Sequence, residues 1–365
     1  MLYTSFQKFL DYDKAQWLAI DRQIRKHIPM GMTHRKKPGL DIERDYPWLM
    51  SSLEMEVMTS SFNSKFGTNY KGKPYTSKWF FELCEKVKCK PIAAVNSIGS
   101  LGGGNHFIEF STSKATGNSG VTVHAGSRNL GLKVANYWQK VAKENLKKRY
   151  VVDFQKTIKE IKANNPQEKW DGLIKAAKLP PTLTGLEWLD GEDMYGYLHD
   201  MLFCQQYAHN NVSSMMHVIL QVLNLEPRLM LLPDTVHTIH NYINFEDWII
   251  RKGAVSARQG ERMLIPFNME DGILICEGKG NEEWNFSAPH GAGRLHGRKA
   301  MKLRKDINTK NIRKRMNDKG IYLSVVPKDE VKEAYKDPKF IEDAIAPTAT
   351  IVDRLTPTLT LKADD

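Results

Sequence analysis

Four histidines of this 365-residue sequence stand beside glycine, asparagine or other small residues. His106 follows Gly102-Gly-Gly-Asn105, and His124 precedes Ala-Gly-Ser-Arg128. His240 precedes Asn241, and His290 precedes Gly291-Ala292-Gly293-Arg294. A neutral imidazole binds zinc, manganese, iron or cobalt, and beside a bound phosphate it is a competent nucleophile. One histidine in such a setting is usually a satisfied core residue. Four of them point to a shared centre, in which a metal beside phosphate-binding loops neutralises the charge that develops in phosphoryl or nucleotidyl transfer. Their spacing fits no short zinc signature.

The densest stretch runs from Asn281 to Lys299. After His290 and its glycine turn come Arg294, His296, Arg298 and Lys299. Small residues let backbone N–H groups approach an anion closely. The run from Arg294 to Lys305 predicts a helix, which sets the glycine turn near a helix N-terminus, where phosphate is favoured.

The elements that must position these side chains are readable in outline. Phe6, Phe9, Leu10, Trp17, Leu18, Ile20 and Ile24 recur at helical spacing, so residues 1–30 are expected to form an amphipathic helix. Helices are also expected at 46–62, 76–90, 132–165 and 192–223, the last burying Met201, Phe203, Tyr207, Met215, Val218 and Val222. The basic loop at 31–45 reads as a solvated loop. His106 and His124 sit where glycine-rich loops meet β-branched strands, a usual place for a site. From residue 236 the chain turns strand-rich, a helix is expected over 290–318, another near 339–345, and a β-rich tail ends at Lys362. A lysine-rich helical stretch at about 150–185 is broken by Leu179-Pro-Pro-Thr-Leu-Thr-Gly185.

Composition narrows the class. A hydrophobic content of 41% supports a real core, and the formal charge of +11 favours polyanionic partners, nucleic acid before membrane. Four scattered cysteines with no Cys-x-x-Cys suit a reducing compartment. There is no run of 18 apolar residues and no signal pattern, so a soluble, cytoplasmic protein is expected. Lys169-Trp170-Asp171-Gly172 fits the short motif of ligases that carry a nucleotide on lysine, but it lies in the lysine-rich helical stretch and reads as a solvated helix.

Five motifs together carry a resemblance. Gly-Gly-Gly-Asn105-His106-Phe-Ile-Glu109, His124-Ala-Gly-Ser-Arg128, His240-Asn241-Tyr, Arg251-Lys252-Gly253-Ala254-Val-Ser-Ala-Arg258 and His290-Gly-Ala-Gly-Arg294 resemble, in that order, the RtcB family of RNA-splicing ligases. Gly280-Asn281-Glu282-Glu283, Ala334-Tyr335-Lys336-Asp337 and Lys362 extend the match from about residue 20 to the end. The resemblance implies one compact α+β catalytic domain over residues 1–365, with mixed sheets around a central cleft, helices outside and the 150–185 stretch as an insert. It implies a GTP- and manganese-dependent ligase that joins an RNA 3′-phosphate or 2′,3′-cyclic phosphate to a 5′-hydroxyl, tRNA being one candidate substrate.

By that resemblance His290 carries GMP as a phosphoramidate, and His106, His124 and His240 are metal ligands. Asn105, Glu109, Gly291, Ala292, Gly293, Tyr335 and Lys362 hold the nucleotide, Glu109 and Lys362 at the guanine and Tyr335 stacked on it. Arg128, Arg294 and Lys252 bind phosphate or RNA. Two departures are visible. The family has an Asp-x-Gly-Cys-Gly segment whose cysteine bridges two metal ions, and no cysteine here has an aspartate three residues before it. The chain is therefore expected to start after that segment, with the part supplied separately or an activating protein required. Ile265-Pro266-Phe267-Asn268-Met269 replaces the family's Pro-Gly-Ser-Met-Gly at the nucleotide wall. The alternatives are an RNA-binding remnant without catalysis and a single-metal phosphoesterase using His124 and His240.

Overall fold

The computed structural model describes residues 1–177 and 187–364. Seven strands form one antiparallel sheet in the order β4-β1-β3-β2-β11-β9-β8. They are β1 (Leu2–Ser5), β2 (Phe107–Ser113), β3 (Ser119–His124), β4 (Val236–His237), β8 (Arg262–Pro266), β9 (Ile273–Gly278) and β11 (Ala349–Leu361). Two small pairs stand outside this sheet, β5 (Tyr242–Ile243) with β6 (Ile250–Arg251), and β7 (Ala254–Ser256) with β10 (Ser287–Pro289). The sheet curls until its edges nearly meet, where Leu264 N–H of β8 donates to Thr238 Oγ1 just past β4, 3.0 Å away. The α+β class holds, but the sheet is antiparallel throughout where a mixed one is expected.

Ten helices surround it: α1 (Lys14–His27), α2 (Trp48–Phe66), α3 (Ser77–Lys86), α4 (Pro91–Ser97), α5 (Arg128–Asn164), α6 (Trp170–Ala177), α7 (Gly191–Val222), α8 (Arg298–Leu303), α9 (Thr309–Asp318) and α10 (Pro338–Ile345), as counted among the described residues. The C-terminal half of α7 lays Val212, Met215, Met216, Ile219 and Leu220 on the sheet, against Ile108, Phe110, Val121, Val123, Leu359 and Leu361. Its N-terminal half joins α2, α3, α4 and the start of α5 in a helical core. At the centre of that core Phe203 meets the rings of Tyr46, Trp48, Tyr75, Trp79 and Phe80 at 5.0 to 5.9 Å. None of the described helices is long and apolar enough to cross a membrane.

Three expectations need correction. Residues 1–30 are not one helix. Leu2–Ser5 inserts between β3 and β4, and the helix starts at Lys14. Asp13 fixes that start through a capping box, its Oδ1 accepting from Gln16 N at 2.8 Å while Gln16 Oε1 accepts from Asp13 N at 2.9 Å. Residues 290–318 are not one helix either. Arg294 makes a β-bridge with Tyr335, and α8 begins only at Arg298. Arg294 to Gly297 therefore separate the glycine turn from the helix, and the turn's anion-binding capacity rests on its own backbone. Finally, α5 begins at Arg128 rather than 132 and runs unbroken from the helical core into the lysine-rich stretch. The Leu-Pro-Pro stretch at 179–185 lies outside the described residues. Lys169 to Gly172 fall on a short exposed helical turn, as the solvated reading expects.

Removing the Phe203 ring leaves a cavity that five packed aromatic neighbours cannot fill. Phe203→Ala is expected to cost about 3–5 kcal/mol in denaturant unfolding.

Candidate active site

Strand pairing builds the histidine cluster. Phe107, the first residue of β2, lies opposite His124, the last of β3, so His106 and His124 arrive side by side. β1 bridges β3 to β4, and the turn after β4 delivers His240. The rings of His106 and His124 are 5.5 Å apart, those of His124 and His240 5.4 Å, and those of His240 and His290 4.8 Å. His290 reaches the cluster from β10, its N–H donating to Gly253 O at 3.4 Å. Asn241, with φ of 59°, accepts from Gly253 N–H at 2.7 Å and so fixes the two loops to each other.

The imidazoles of His106, His124 and His240 are neutral at pH 7. Burial, then the charges of Arg128 and Lys362, lowers His106 to about 4. Burial and the neighbouring His290 lower His240 to about 4, and burial holds His124 well below its ordinary value. His124 Nε2 and His240 Nε2 face each other at 3.2 Å. Two imidazole nitrogens sharing one tetrahedral ion at ~2.1 Å stand about 3.4 Å apart, so this pair fits a single metal ion. The Nδ1 atoms of His106, His124 and His240 are buried without partners, which leaves the rings without the outer hydrogen bonds that usually orient ligating histidines. Among the described residues no group of three or more His, Cys, Asp or Glu side chains is set to hold a metal ion. A second ion would lack the anionic ligands that offset repulsion between close dications.

Two cavities open on either side of the cluster. The smaller, about 330 Å³, holds His290, Gly291, Ala292, Gly293 and Arg294 on one wall and Asn105, Glu109, Tyr335 and Lys362 on another. Phe107, Phe267 and Met269 give it apolar faces. Gly291 packs closely on the backbone, since a Cβ there would stand 3.0 Å from Pro266 O. Asn268 turns its side chain into its own loop, donating to Asp271 at 2.7 Å and accepting from Glu270 N at 2.9 Å, so Phe267 forms the wall.

Two carboxylates in this cavity are in opposite states. Glu109 is buried on β2. Burial raises it to about 8, against the pull of Thr360 and Lys362, and its Oε1 has no partner. Burial also opposes ionisation of Glu330, yet Lys362, Tyr335 and Arg294 together hold it below the usual range. Arg294 donates to Glu330 at 2.9 Å and to Tyr335 Oη at 3.2 Å, with its guanidinium 4.9 Å from the centre of the Tyr335 ring. Burial lowers Lys362 and Glu330 props it up.

The larger cavity, about 710 Å³, is lined by His106, His124, His209, His237, His240 and Arg128 and by no Asp or Glu. Arg128 adopts φ of 53°, a costly conformation for a long side chain, held by its bonds to Ser100 Oγ at 3.1 Å and Gly31 O at 2.8 Å. Cys204 on the wall belongs to the helical core, its thiol pushed far up by burial.

The four histidines of the sequence reading thus converge, and the residues expected to hold the nucleotide line one cavity. Lys252 stands apart, exposed on the turn before Gly253 and on the wall of neither cavity. Sequence reasoning missed Glu330, Phe107 and Thr360 and gave Arg298 no role beyond its place in the cationic stretch after His290. Arg298 donates to Asn105 Oδ1 at 3.1 Å. No sequence signal marks Glu330, since its partners come from distant segments.

The model of the RtcB family, described as tRNA-splicing ligase RtcB, matches residues 4–363. The chain belongs to the RtcB family. It is 30% identical over 219 residues to the RNA-splicing ligase RtcB of Escherichia coli K12, covering 56% of this chain and 47% of that relative. It is 24% identical over 286 residues to the tRNA-splicing ligase RtcB of Aeropyrum pernix, covering 66% and 53%. It is 25% identical over 302 residues to the RNA-splicing ligase RtcB homolog 2 of Entamoeba dispar, covering 73% and 54%. The chain spans about half the length of the curated relatives it matches.

The opposed shifts shape stability against pH. Glu109 is raised on folding, so its contribution is present below about 4.5 and lost as pH rises through about 8. The histidines are lowered, so theirs is present above 6.5 and lost as pH falls through about 4. In thermal unfolding from pH 4 to 9, Glu109→Gln is expected to flatten the alkaline limb and leave the acid limb. His240→Asn is expected to make the acid limb shallower.

Proposed function

We propose that the site joins RNA ends through a nucleotidyl-histidine intermediate, with GTP as the nucleotide donor. The observation that carries this is the place of His290, on the wall of the smaller cavity and against the His240 ring at 4.8 Å. A ring nitrogen of His290 attacks the α-phosphorus of GTP, an N–P bond forms, and the bond to the pyrophosphate oxygen breaks. An oxygen of the RNA 3′-phosphate then displaces the imidazole and takes the guanylate. The 5′-hydroxyl oxygen attacks the RNA phosphorus, GMP leaves, and the hydroxyl proton passes to solvent or a nearby base.

The chain's own groups divide the work. Glu109 meets the guanine edge, Tyr335 and Phe267 flank the base, and the backbone N–H groups of Gly291 and Gly293 serve the phosphates, that of Ala292 being taken by Pro266 O at 3.0 Å. Burial keeps Glu109 protonated at pH 7, so accepting from guanine N–H groups requires it to lose that proton. His124 and His240, with His106 beside them, hold a divalent ion, manganese being the family expectation. That ion supplies charge neutralisation at the reacting phosphate. The larger cavity, with Arg128, its imidazoles and no carboxylate, suits the anionic RNA ends. A solvated Lys252 reaches RNA outside both cavities.

A second reading is RNA binding without joining. It is favoured by the lack of anionic ligands around the histidines among the described residues, whereas a separately supplied N-terminal part or an activating protein that completes the site belongs to the ligase reading. Salt-sensitive RNA binding with no metal-dependent product supports this reading, and ligated product from this chain alone removes it.

Incubation with GTP and Mn²⁺ is expected to add the mass of one GMP to the intact protein, and His290→Ala to abolish it. Absence of the adduct, with the upstream segment also supplied, sinks the ligase reading. Calorimetry of GTP binding at pH 7 in buffers of different ionisation heats is expected to report release of about one proton, lost in Glu109→Gln.

A further inference from the structure

Among the described residues Glu330 is the only carboxylate that both lines the smaller cavity and bonds side chains from three separate stretches of chain. It is 1% exposed. Its Oε1 accepts from Arg294 Nη1 at 2.9 Å, with Arg298 Nε 3.7 Å away. Its Oε2 accepts from Tyr335 Oη at 2.5 Å and from Lys362 Nζ at 3.2 Å. Lys362 carries the link further, reaching Gly104 O at 3.3 Å and His106 O at 3.4 Å. One carboxylate therefore ties the loop after His290, the Tyr335 turn, the end of β11 and the glycine-rich loop of His106 into one unit.

We propose that Glu330 is a positioning residue for nucleotide recognition, acting through Tyr335 and Lys362, which it holds at the angles that grip the base. This rests on the nucleotide reading of the smaller cavity. The physical reason is charge and direction. A buried ammonium and a buried phenol have few acceptable places, and one anionic oxygen fixes both. Without it Lys362 would lose the buried counter-charge 3.2 Å from its Nζ, and Tyr335 would be free to turn with Arg294 on its face.

Glu270 offers an internal comparison. It is equally buried and ion-paired, but to Arg315 and Lys319, neither of which lines the cavity. Glu270→Gln is expected to lower the unfolding temperature and leave GTP affinity unchanged.

The experiment measures GTP affinity with Mn²⁺ and thermal unfolding for the parent, Glu330→Gln, Glu330→Asp, Tyr335→Phe and the double variant Glu330→Gln/Tyr335→Phe. Glu330→Gln is expected to weaken GTP binding about tenfold or more, the order expected for losing charge-assisted bonds. Glu330→Asp is expected to recover part of that loss. Tyr335→Phe is expected to weaken binding in the parent and add little in the Glu330→Gln background, because the phenol acts through the carboxylate. Affinity within twofold of the parent in Glu330→Gln, or full additivity of the pair, overturns the proposal. Should Glu330→Gln fail to fold, Tyr335→Phe and Lys362→Met take its place. The two side chains meet on the same carboxylate oxygen, so their effects on GTP affinity must be non-additive, and additivity overturns the proposal. A parent that binds GTP but never labels His290 sinks the ligase chemistry and leaves the role of Glu330 to these variants. A parent that binds no GTP sinks both.

Discussion

The antiparallel pairing of β2 with β3 is the constraint on which the site depends. It sets the first residue of one strand beside the last of the other, so two glycine-flanked histidines separated by 17 residues of chain meet at one sheet edge. A register slip by one residue would turn every side chain of the strand to the opposite face. Such a slip is opposed because both faces of β2 and β3 are covered, by α1 and α7 on one side and by Tyr3, Leu264, Ile273 and Leu355 on the other. Packing far from the chemistry thus holds His106 and His124 in place.

Burial then sorts the charges. At His106, His124 and His240 it is the largest cause and keeps the imidazoles neutral, the state that ligates metal. At Glu109 it acts against weak opposition and keeps a carboxyl protonated, with one oxygen unpartnered inside the smaller cavity. At Glu330 the same penalty loses to a guanidinium, an ammonium and a phenol. The two cavities differ for the same reason. The smaller sets Glu109 and Glu330 among Arg294, Arg298 and Lys362, while the larger has Arg128, imidazoles and no carboxylate.

Much of the site was legible because glycine and histidine leave a local mark. Gly-Gly-Gly-Asn105-His106 and His290-Gly-Ala-Gly-Arg294 are informative at short range, and the strand–loop setting of His124 follows from a β-branched run. Other parts had no local mark. The apolar spacing at the N-terminus read as one helix, since the period of Phe6, Phe9 and Leu10 does not reveal that Leu2–Ser5 has strand partners at 120–123 and 236–237. Arg294 begins no helix because Tyr335 bridges it, 41 residues later.

The sequence by itself determined the family and the residue types on offer, because these are carried by side-chain identity and by short runs whose backbone demands are local. Only the tertiary structure decided which imidazoles share a nitrogen-to-nitrogen contact, which carboxyl is protonated, and that Glu330 gathers Arg294, Tyr335 and Lys362 on one pair of oxygens. Those outcomes depend on burial and on distances between segments far apart in the chain. Desolvation and charge pairing act through space, so residue order alone does not encode them where they can be read.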